Sequence, residues 1–202
     1  MVGHLLANRT AHVSFGLFLG AAYIPIDFII INQSFGTSIA DAWYLWIIAL
    51  LLAIIGAEGP DFDQLYSFMS HRDIVSHSAF YPGIIFGLSL WWRFSQNDPL
   101  VSCFVPFLIA YGSHLFLDYF PNINIRDLRN GELRIGEKKG TFLMHVPFIY
   151  KDRKGKLRRT LGAKKTEWWL LGNAFLCTVM ACLLAIIRFI ADLDIPNLLF
   201  GT

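Results

Sequence analysis

Apolar residues gather along the chain into long stretches that are separated by short polar segments. A helix needs about 20 apolar residues to cross the hydrocarbon core of a membrane. The tryptophan pairs Trp91-Trp92 and Trp168-Trp169 lie at the ends of two stretches, as is typical of the membrane interface. The pattern predicts five transmembrane helices, the third of them short. Their expected bounds are 12–31, 38–57, 79–94, 99–118 and 168–190.

Composition supports a membrane class. The chain has 202 residues, of which 55% are hydrophobic and 16% are charged, whereas an ordinary soluble domain has about 25% charged residues. A soluble domain of this size would lack the polar surface to cover itself. We therefore exclude the soluble globular class and predict a single membrane domain over residues 1–202.

Charge is distributed unevenly along the chain. Of the 17 Lys and Arg residues, 13 lie between positions 121 and 167. With five crossings, the N-terminus, the segment after the second helix and this basic loop share one side of the membrane, which holds 15 of the 17 cations. The positive-inside rule places that side in the cytoplasm. We expect a bacterial inner (plasma) membrane protein whose N-terminus and motif loops are cytoplasmic.

The segment 119–167 is predicted to be a basic cytoplasmic insertion. Residues 123–126 and 132–135 flank the pair Asn130-Gly131, a pattern that predicts a β-hairpin with a tight turn, and 141–150 is a further candidate strand. The fold class is thus an all-α membrane protein of about five transmembrane helices with a small insertion that contains a β-hairpin. Its cations are expected to contact anionic membrane lipids, and we expect no nucleic acid partner.

Histidines and aspartates occur next to the predicted helix ends. His12 begins the first helix, and the predicted topology places it and three motifs at the same membrane boundary, where their side chains can meet. His114 and Asp118 are four residues apart, so they share one helical face and can bind one ion. The three motifs are Gly59-Pro-Asp-Phe-Asp63, His71-Arg-Asp-Ile-Val-Ser-His-Ser78 and Ser113-His-Leu-Phe-Leu-Asp118.

This mixture of imidazole and carboxylate suits Zn²⁺, Mn²⁺, Fe²⁺ or Co²⁺ better than the all-oxygen site that Ca²⁺ prefers. We expect one or two divalent ions, with Zn²⁺ or Mn²⁺ preferred. His71 is either a ligand or a proton donor to a leaving group. Arg72 either binds an anionic group of a substrate or anchors the chain to lipid headgroups. The predicted metal ligands are His12, Asp61, Asp63, His77, His114 and Asp118.

The three motifs resemble the PDxD, HR(G)xxTHS and SHxxxD signatures of the membrane-bound metal-dependent hydrolase family, described in bacteria as LexA-binding, inner-membrane-associated hydrolases. The resemblance covers residues 12–118, and it implies a multi-helix membrane fold and metal-dependent hydrolysis. By this resemblance, His12 corresponds to the family's N-terminal histidine. The family's metal-site positions fall on Asp61, Asp63, His71, His77, His114 and Asp118.

These observations predict a metal-dependent hydrolase at the cytoplasmic membrane face. A metal-activated water would attack an ester or phosphoester in a small-molecule or lipid-linked substrate. The alternative is a divalent-metal transporter or sensor without turnover, which would use the same ligands and need a polar path across the bilayer. A haem-binding bundle is a third class, disfavoured by the clustered aspartates. The sequence does not predict an oligomeric state.

Overall fold

The computed structural model describes residues 2–35, 39–65, 73–96, 99–119, 145–151, 157–161 and 163–192. A short 3₁₀ helix, Gly59–Leu65, continues from α2, and a second one, Pro99–Cys103, leads into α4. Two antiparallel strands, β1 (His145–Lys151) and β2 (Leu157–Thr160), pair with each other. The α-helices of this part of the chain are α1 (Val2–Phe35), α2 (Ile39–Glu58), α3 (Phe80–Gln96), α4 (Phe104–Tyr119) and α5 (Ala163–Asp192).

Three helices among the described residues are long and apolar enough to cross a membrane. The prediction of five spans is not supported. Helix α3 has 17 residues, which is short of the roughly 20 that a crossing needs. Helix α1 contains Pro25 and a buried Asp27 within its apolar stretch, and both lower its hydropathy. The spans are Trp43–Phe62, Leu100–Tyr119 and Lys164–Arg188.

The insertion between α4 and α5 is described only in part. The hairpin predicted at 123–135 lies outside the described residues. The prediction of a β-hairpin at that position is therefore without support. Strand β1 overlaps the segment 141–150, and its register with β2 pairs Lys151 with Leu157 and His145 with Thr160. That the chain forms one domain stays a prediction.

Helix α4 is the centre of the bundle and packs against α1, α2, α3 and α5. Leu108, Tyr111 and Leu115 on this helix are almost completely buried. The surrounding helices instead expose large apolar side chains, such as Trp43 on α2 and Phe175 on α5. This arrangement suits a bundle that faces lipid, because lipid can cover apolar surface that water cannot.

Small residues bring α1, α2 and α4 close together. A Cβ atom on Gly16 would lie 2.8 Å from the Cβ of Ala57 and 3.2 Å from that of Ala110. Gly56 lies against the backbone carbonyl of Phe107, where a side chain has no space. Such close approach is typical of membrane helix pairs. It places the end of α2 beside the middle of α4, where the carbonyl O of Ala57 reaches His114.

Candidate metal centre

Five of the six predicted metal ligands meet at one end of the bundle. His12 comes from α1, Asp61 from the 3₁₀ helix after α2, and His77 from the turn before α3, while His114 and Asp118 lie one turn apart on α4. Four of the five are almost fully buried. The exception is Asp61, whose side chain is 26% exposed.

Asp118 lies at the centre of this cluster. Its Oδ1 is 3.5 Å from His12 Nε2, and its Oδ2 is 3.4 Å from His77 Nε2 and 3.6 Å from His114 Nε2. Asp61 Oδ2 is 3.9 Å from His114 Nε2. Ligand atoms that share a tetrahedral zinc at about 2.1 Å are about 3.4 Å from one another. The spacing of the cluster is therefore close to that of atoms around a common ion.

The five side chains form two overlapping ligand groups. One contains His12, His114 and Asp118, the other contains Asp61, His77 and His114, and the ligand atoms of each group lie within 4.8 Å of one another. One imidazole nitrogen binds one ion, so His114 can serve only one group at a time. Asp118 turns one oxygen to His12 and the other to His77 and His114. The cluster could therefore hold one or two ions, and Asp118 has an oxygen near each group of histidines.

The backbone of α2 fixes the tautomer of His114. Its Nδ1 lies 2.5 Å from the carbonyl O of Ala57, and because a carbonyl only accepts, Nδ1 carries the proton. Nε2 then presents a lone pair, and this buried atom has no hydrogen-bond partner within the described part of the chain. Support of one ring nitrogen by a carbonyl is typical of metal-binding histidines.

Hydrogen bonds within its own turn orient His77. Ser76 Oγ donates to the carbonyl O of Asp73 at 3.0 Å. A hydroxyl has one proton, so the same Oγ accepts from His77 Nδ1, which is 3.0 Å away. Nε2 of His77 is thus the nitrogen with the lone pair, and it is the atom that faces Asp118. Both His77 and His114 are therefore in the tautomer that binds a metal through Nε2.

The turn that carries His77 is itself held by local contacts. Asp73 Oδ1 accepts from the backbone N of Val75 at 2.9 Å, and the Asp73 carbonyl accepts from the backbone N of His77 at 3.0 Å. Ser78 Oγ accepts from the backbone N of Phe80 at 3.2 Å, which is the contact of a helix N-cap. Asp73 and Ser78 thus shape the turn and the start of α3.

The histidine rings pack directly on one another. The rings of His12 and His114 are stacked, with centroids 4.0 Å apart and an interplanar angle of 23°. His77 lies edge-on to His114 at 6.0 Å. Axial histidines of a haem lie on opposite faces of a flat macrocycle, and rings stacked this closely leave no room for one. The haem-binding alternative is disfavoured.

The side chains of the remaining predicted site residues are not described. His71 and Arg72 belong to the segment 66–72, and Asp63 is part of the 3₁₀ helix but its side chain is not described. The roles proposed for these three residues stay predictions.

Sequence reasoning missed three residues that contact the His77 segment. Tyr111 and Trp169 donate hydrogen bonds to backbone carbonyls of this segment, and Asn173 accepts one from its backbone. The sequence offered one signal, which is a polar side chain inside an apolar helix. Asn173 is such a residue in α5, and Tyr111 precedes His114 by one turn of α4. Trp169 was predicted only as part of an aromatic belt.

The fold and the cluster define a membrane protein with a buried centre of histidine and aspartate. The chain belongs to the YdjM inner membrane protein family, whose model matches residues 8–191. The match includes every predicted ligand and continues through the basic insertion into α5. No significant match was found among curated proteins or solved structures. Membership of an inner-membrane family is thus confirmed, whereas hydrolysis and LexA binding stay predictions.

Proposed function

We propose that this protein is a membrane-embedded, metal-dependent hydrolase that cleaves an ester or phosphoester at the cytoplasmic face of the inner membrane. One or two divalent ions, Zn²⁺ or Mn²⁺, would bind in the cluster. The main support is the convergence of three Nε2 atoms on Asp118, at 3.5 Å for His12, 3.4 Å for His77 and 3.6 Å for His114. Imidazolium–carboxylate hydrogen bonds are about 2.7–2.9 Å long, so a shared metal cation explains these distances better than a shared proton.

The donor set fits such an ion. Imidazole nitrogens and carboxylate oxygens are the ligands of catalytic zinc sites, which also keep one position open. Asp61 lies on the open side, because its side chain is the partly exposed member of the cluster. A divalent ion would supply Lewis acidity, which acidifies water and polarises a phosphoryl or carbonyl oxygen.

The residues have distinct roles in this proposal. His12, His77, His114 and Asp118 hold the ions. Asp61 completes the ligand set, and its accessible carboxylate also orients water at the open side. In the same proposal Asp63 is a further ligand, His71 donates a proton to the leaving group, and Arg72 binds an anionic group of the substrate.

The position of the basic insertion supports a cytoplasmic site. This insertion begins after α4, near Asp118, and ends at the start of α5, and 13 of the 17 Lys and Arg residues lie between positions 121 and 167. Such an excess of cations is typical of cytoplasmic loops. The two ends of the insertion lie beside the cluster whatever the number of spans.

A groove at the start of α5 supports a lipid or lipid-linked phosphate as substrate. It is shallow and open, with a volume of about 760 Å³, and within the described part of the chain it is lined by Lys164, Lys165, Trp168 and Trp169. Lysines attract anionic headgroups, and tryptophans favour the membrane interface. The groove lies beside the cluster, because Trp169 Nε1 also donates to the carbonyl of His77.

The transporter alternative needs a polar path through the bundle. On α1, the next buried charged side chain after His12 is Asp27, about 22 Å along the helix at 1.5 Å per residue. Between them, a Cβ on Gly20 would lie 2.9 Å from the Cβ of Ala53, and Gly16 is packed as tightly. Within the described residues, this close packing interrupts a path along α1 and favours the hydrolase.

Elemental analysis of the detergent-purified protein tests for the metal. We expect one or two equivalents of zinc or manganese in the wild type and a loss of at least one in His77→Ala. Cys182→Ser removes an exposed thiol on α5 and should leave the metal content unchanged. A wild type that retains neither ion after both have been supplied overturns the proposal.

A hydrolysis assay tests the reaction. Ester, phosphomonoester and phosphodiester substrates with a p-nitrophenyl leaving group would be compared with phospholipid vesicles, each with added Zn²⁺ or Mn²⁺. We expect hydrolysis that is lost in Asp61→Ala and in His114→Ala. Hydrolysis that survives both substitutions removes the cluster from catalysis.

A further inference from the structure

The segment 73–79 carries His77 outside any α-helix, and side chains of two other helices hold its backbone. Tyr111 on α4 donates its hydroxyl proton to the carbonyl O of Ser76. Trp169 on α5 donates from Nε1 to the carbonyl O of His77 at 2.9 Å. Two consecutive carbonyls are thus fixed from two directions.

Asn173 adds a third contact and links the segment 73–79 to Trp169. Its Oδ1 accepts from the backbone N of Ala79 at 2.7 Å, and its Nδ2 donates to the carbonyl O of Trp169 at 2.7 Å. A side-chain amide within an apolar span is costly unless it is hydrogen-bonded. Both ends of this amide are used, so the start of α5 is tied to the segment before α3.

We propose that Trp169 is a positioning residue of the metal centre: by holding the carbonyl of His77, it fixes the point from which His77 Nε2 reaches the ion. This inference rests on the proposed function and adds a residue to the same site. Tyr111 acts in the same way on Ser76, the residue that orients the His77 ring.

Tyr111, which holds the His77 turn, lies on the same helix as two of the predicted ligands. Tyr111 precedes His114 by three residues and Asp118 by seven, so the three side chains lie along one face of α4. The hydroxyl of Tyr111 therefore ties the His77 turn to the helix that carries two ligands. Metal sites require ligand placement to within about 0.5 Å, and a turn outside the helices achieves this only if its backbone is held.

The neighbouring tryptophan provides a matched control. Trp168 is 70% exposed, whereas Trp169 is partly buried and bonded to His77. The two residues are adjacent, belong to the same helix and line the same groove. A substitution by Phe removes the indole N–H at either position and keeps an aromatic ring. The two positions then differ in the contact with His77 and in burial, and the unfolding measurement accounts for the burial.

The experiment compares Trp169→Phe with Trp168→Phe and wild type in the full-length protein. Zinc affinity would be measured by competition with a chelator, and ligand geometry by the visible absorption of the Co²⁺-substituted protein. We expect Trp169→Phe to bind zinc about 10- to 100-fold more weakly, as for other residues that orient a ligand, with an altered Co²⁺ spectrum. Trp168→Phe should stay within about twofold of wild type, because it keeps every contact of the centre.

Thermal unfolding of the metal-free proteins separates positioning from folding. We expect both Trp variants to fold, with Trp169→Phe slightly less stable because it loses one hydrogen bond, and Tyr111→Phe provides a second test should Trp169→Phe fail to fold. Equal zinc affinity and an unchanged Co²⁺ spectrum in Trp169→Phe, or equal losses in both Trp variants, overturn this inference and leave the metal centre intact. A wild type that binds no metal overturns the proposed function as well.

Discussion

Two buried polar clusters lie at different depths of the bundle, and their carboxylates have different partners. In the metal centre, Asp118 faces the Nε2 atoms of three histidines. In the second cluster, here called the Asp27 cluster, the carboxylate has an arginine and two hydroxyls as partners. Its contacts are Arg188 Nε at 3.6 Å, the Tyr23 hydroxyl at 3.4 Å and Ser102 Oγ at 3.0 Å.

The difference indicates which cluster is built for a ligand. Arg188 carries a permanent charge, so the Asp27 cluster balances its buried carboxylate with groups of the chain itself. A neutral histidine that donates from Nδ1, as His77 and His114 do, presents a lone pair at Nε2. Buried carboxylates are costly without a positive partner. The Asp27 cluster is thus explained as a structural contact, whereas the three Nε2 atoms around Asp118 suit the cation of the proposed function.

The largest effect is expected from Arg188→Leu. This change leaves Asp27 buried without its arginine, and breaking one side of a buried ion pair costs about 3–5 kcal/mol. The free energy of unfolding in detergent, measured with denaturant, should fall by about this amount, while the metal content stays at the wild-type value.

The double variant Asp27→Leu with Arg188→Leu controls for lost packing. Replacing a whole buried pair by apolar residues is often neutral, so we expect the double variant to recover most of the lost stability. A double variant as unstable as Arg188→Leu alone would contradict the structural interpretation of the Asp27 cluster.

The second effect concerns metal affinity. His114→Ala removes one ligand of both groups, and structural zinc sites with four ligands bind with about 10–16 kcal/mol, or roughly 3 kcal/mol for each ligand. We expect a loss of at least about 100-fold in affinity for zinc, measured by chelator competition. Asp27→Asn is the matched control, and a similar loss in that variant would show that the two clusters are not independent.

The cluster of histidines and aspartates was predictable from the sequence, because its members lie next to helix ends that the apolar pattern predicts. His114 and Asp118 share a motif and a helical face, and His12, Asp61 and His77 lie next to predicted helix ends on one side. Residue spacing and polarity therefore sufficed to bring the five together. The described residues do not support the predicted number of spans, because an apolar stretch such as that of α3 does not reveal how much of its length is membrane-spanning.

The contacts between distant segments were not predictable. Asp27 and Arg188 are both isolated charges in apolar helices, and no local pattern pairs α1 with α5. The same holds for Trp169, whose adjacent partner in the sequence, Trp168, is exposed. Which of two neighbouring tryptophans faces the bundle depends on the rotation of α5, which is set by its packing on α4 and not by composition.

The third effect is metal-dependent stability. A ligand that binds only the folded state at 100 times its dissociation constant stabilises that state by about 2.7 kcal/mol. Removal of the ion with a chelator should therefore lower the unfolding temperature of the wild type and of Arg188→Leu. The unfolding temperature of His114→Ala should not respond, and a response equal to that of the wild type would place the ion elsewhere.

The smallest effects are expected from Ser76, which contacts His77, and from Ser102, which contacts Asp27. These two substitutions separate a contact that orients a metal ligand from a contact that stabilises a buried carboxylate. Ser76→Ala removes the acceptor that orients His77 and should weaken zinc binding by about 10-fold, as measured by chelator competition. Ser102→Ala removes one donor to Asp27 and should cost about 1 kcal/mol of unfolding free energy without a change in zinc affinity. If instead Ser102→Ala weakened zinc binding as much as Ser76→Ala, the carboxylate of Asp27 would influence the metal centre through α1, and the distinction between a balanced pair and a ligand site would no longer hold.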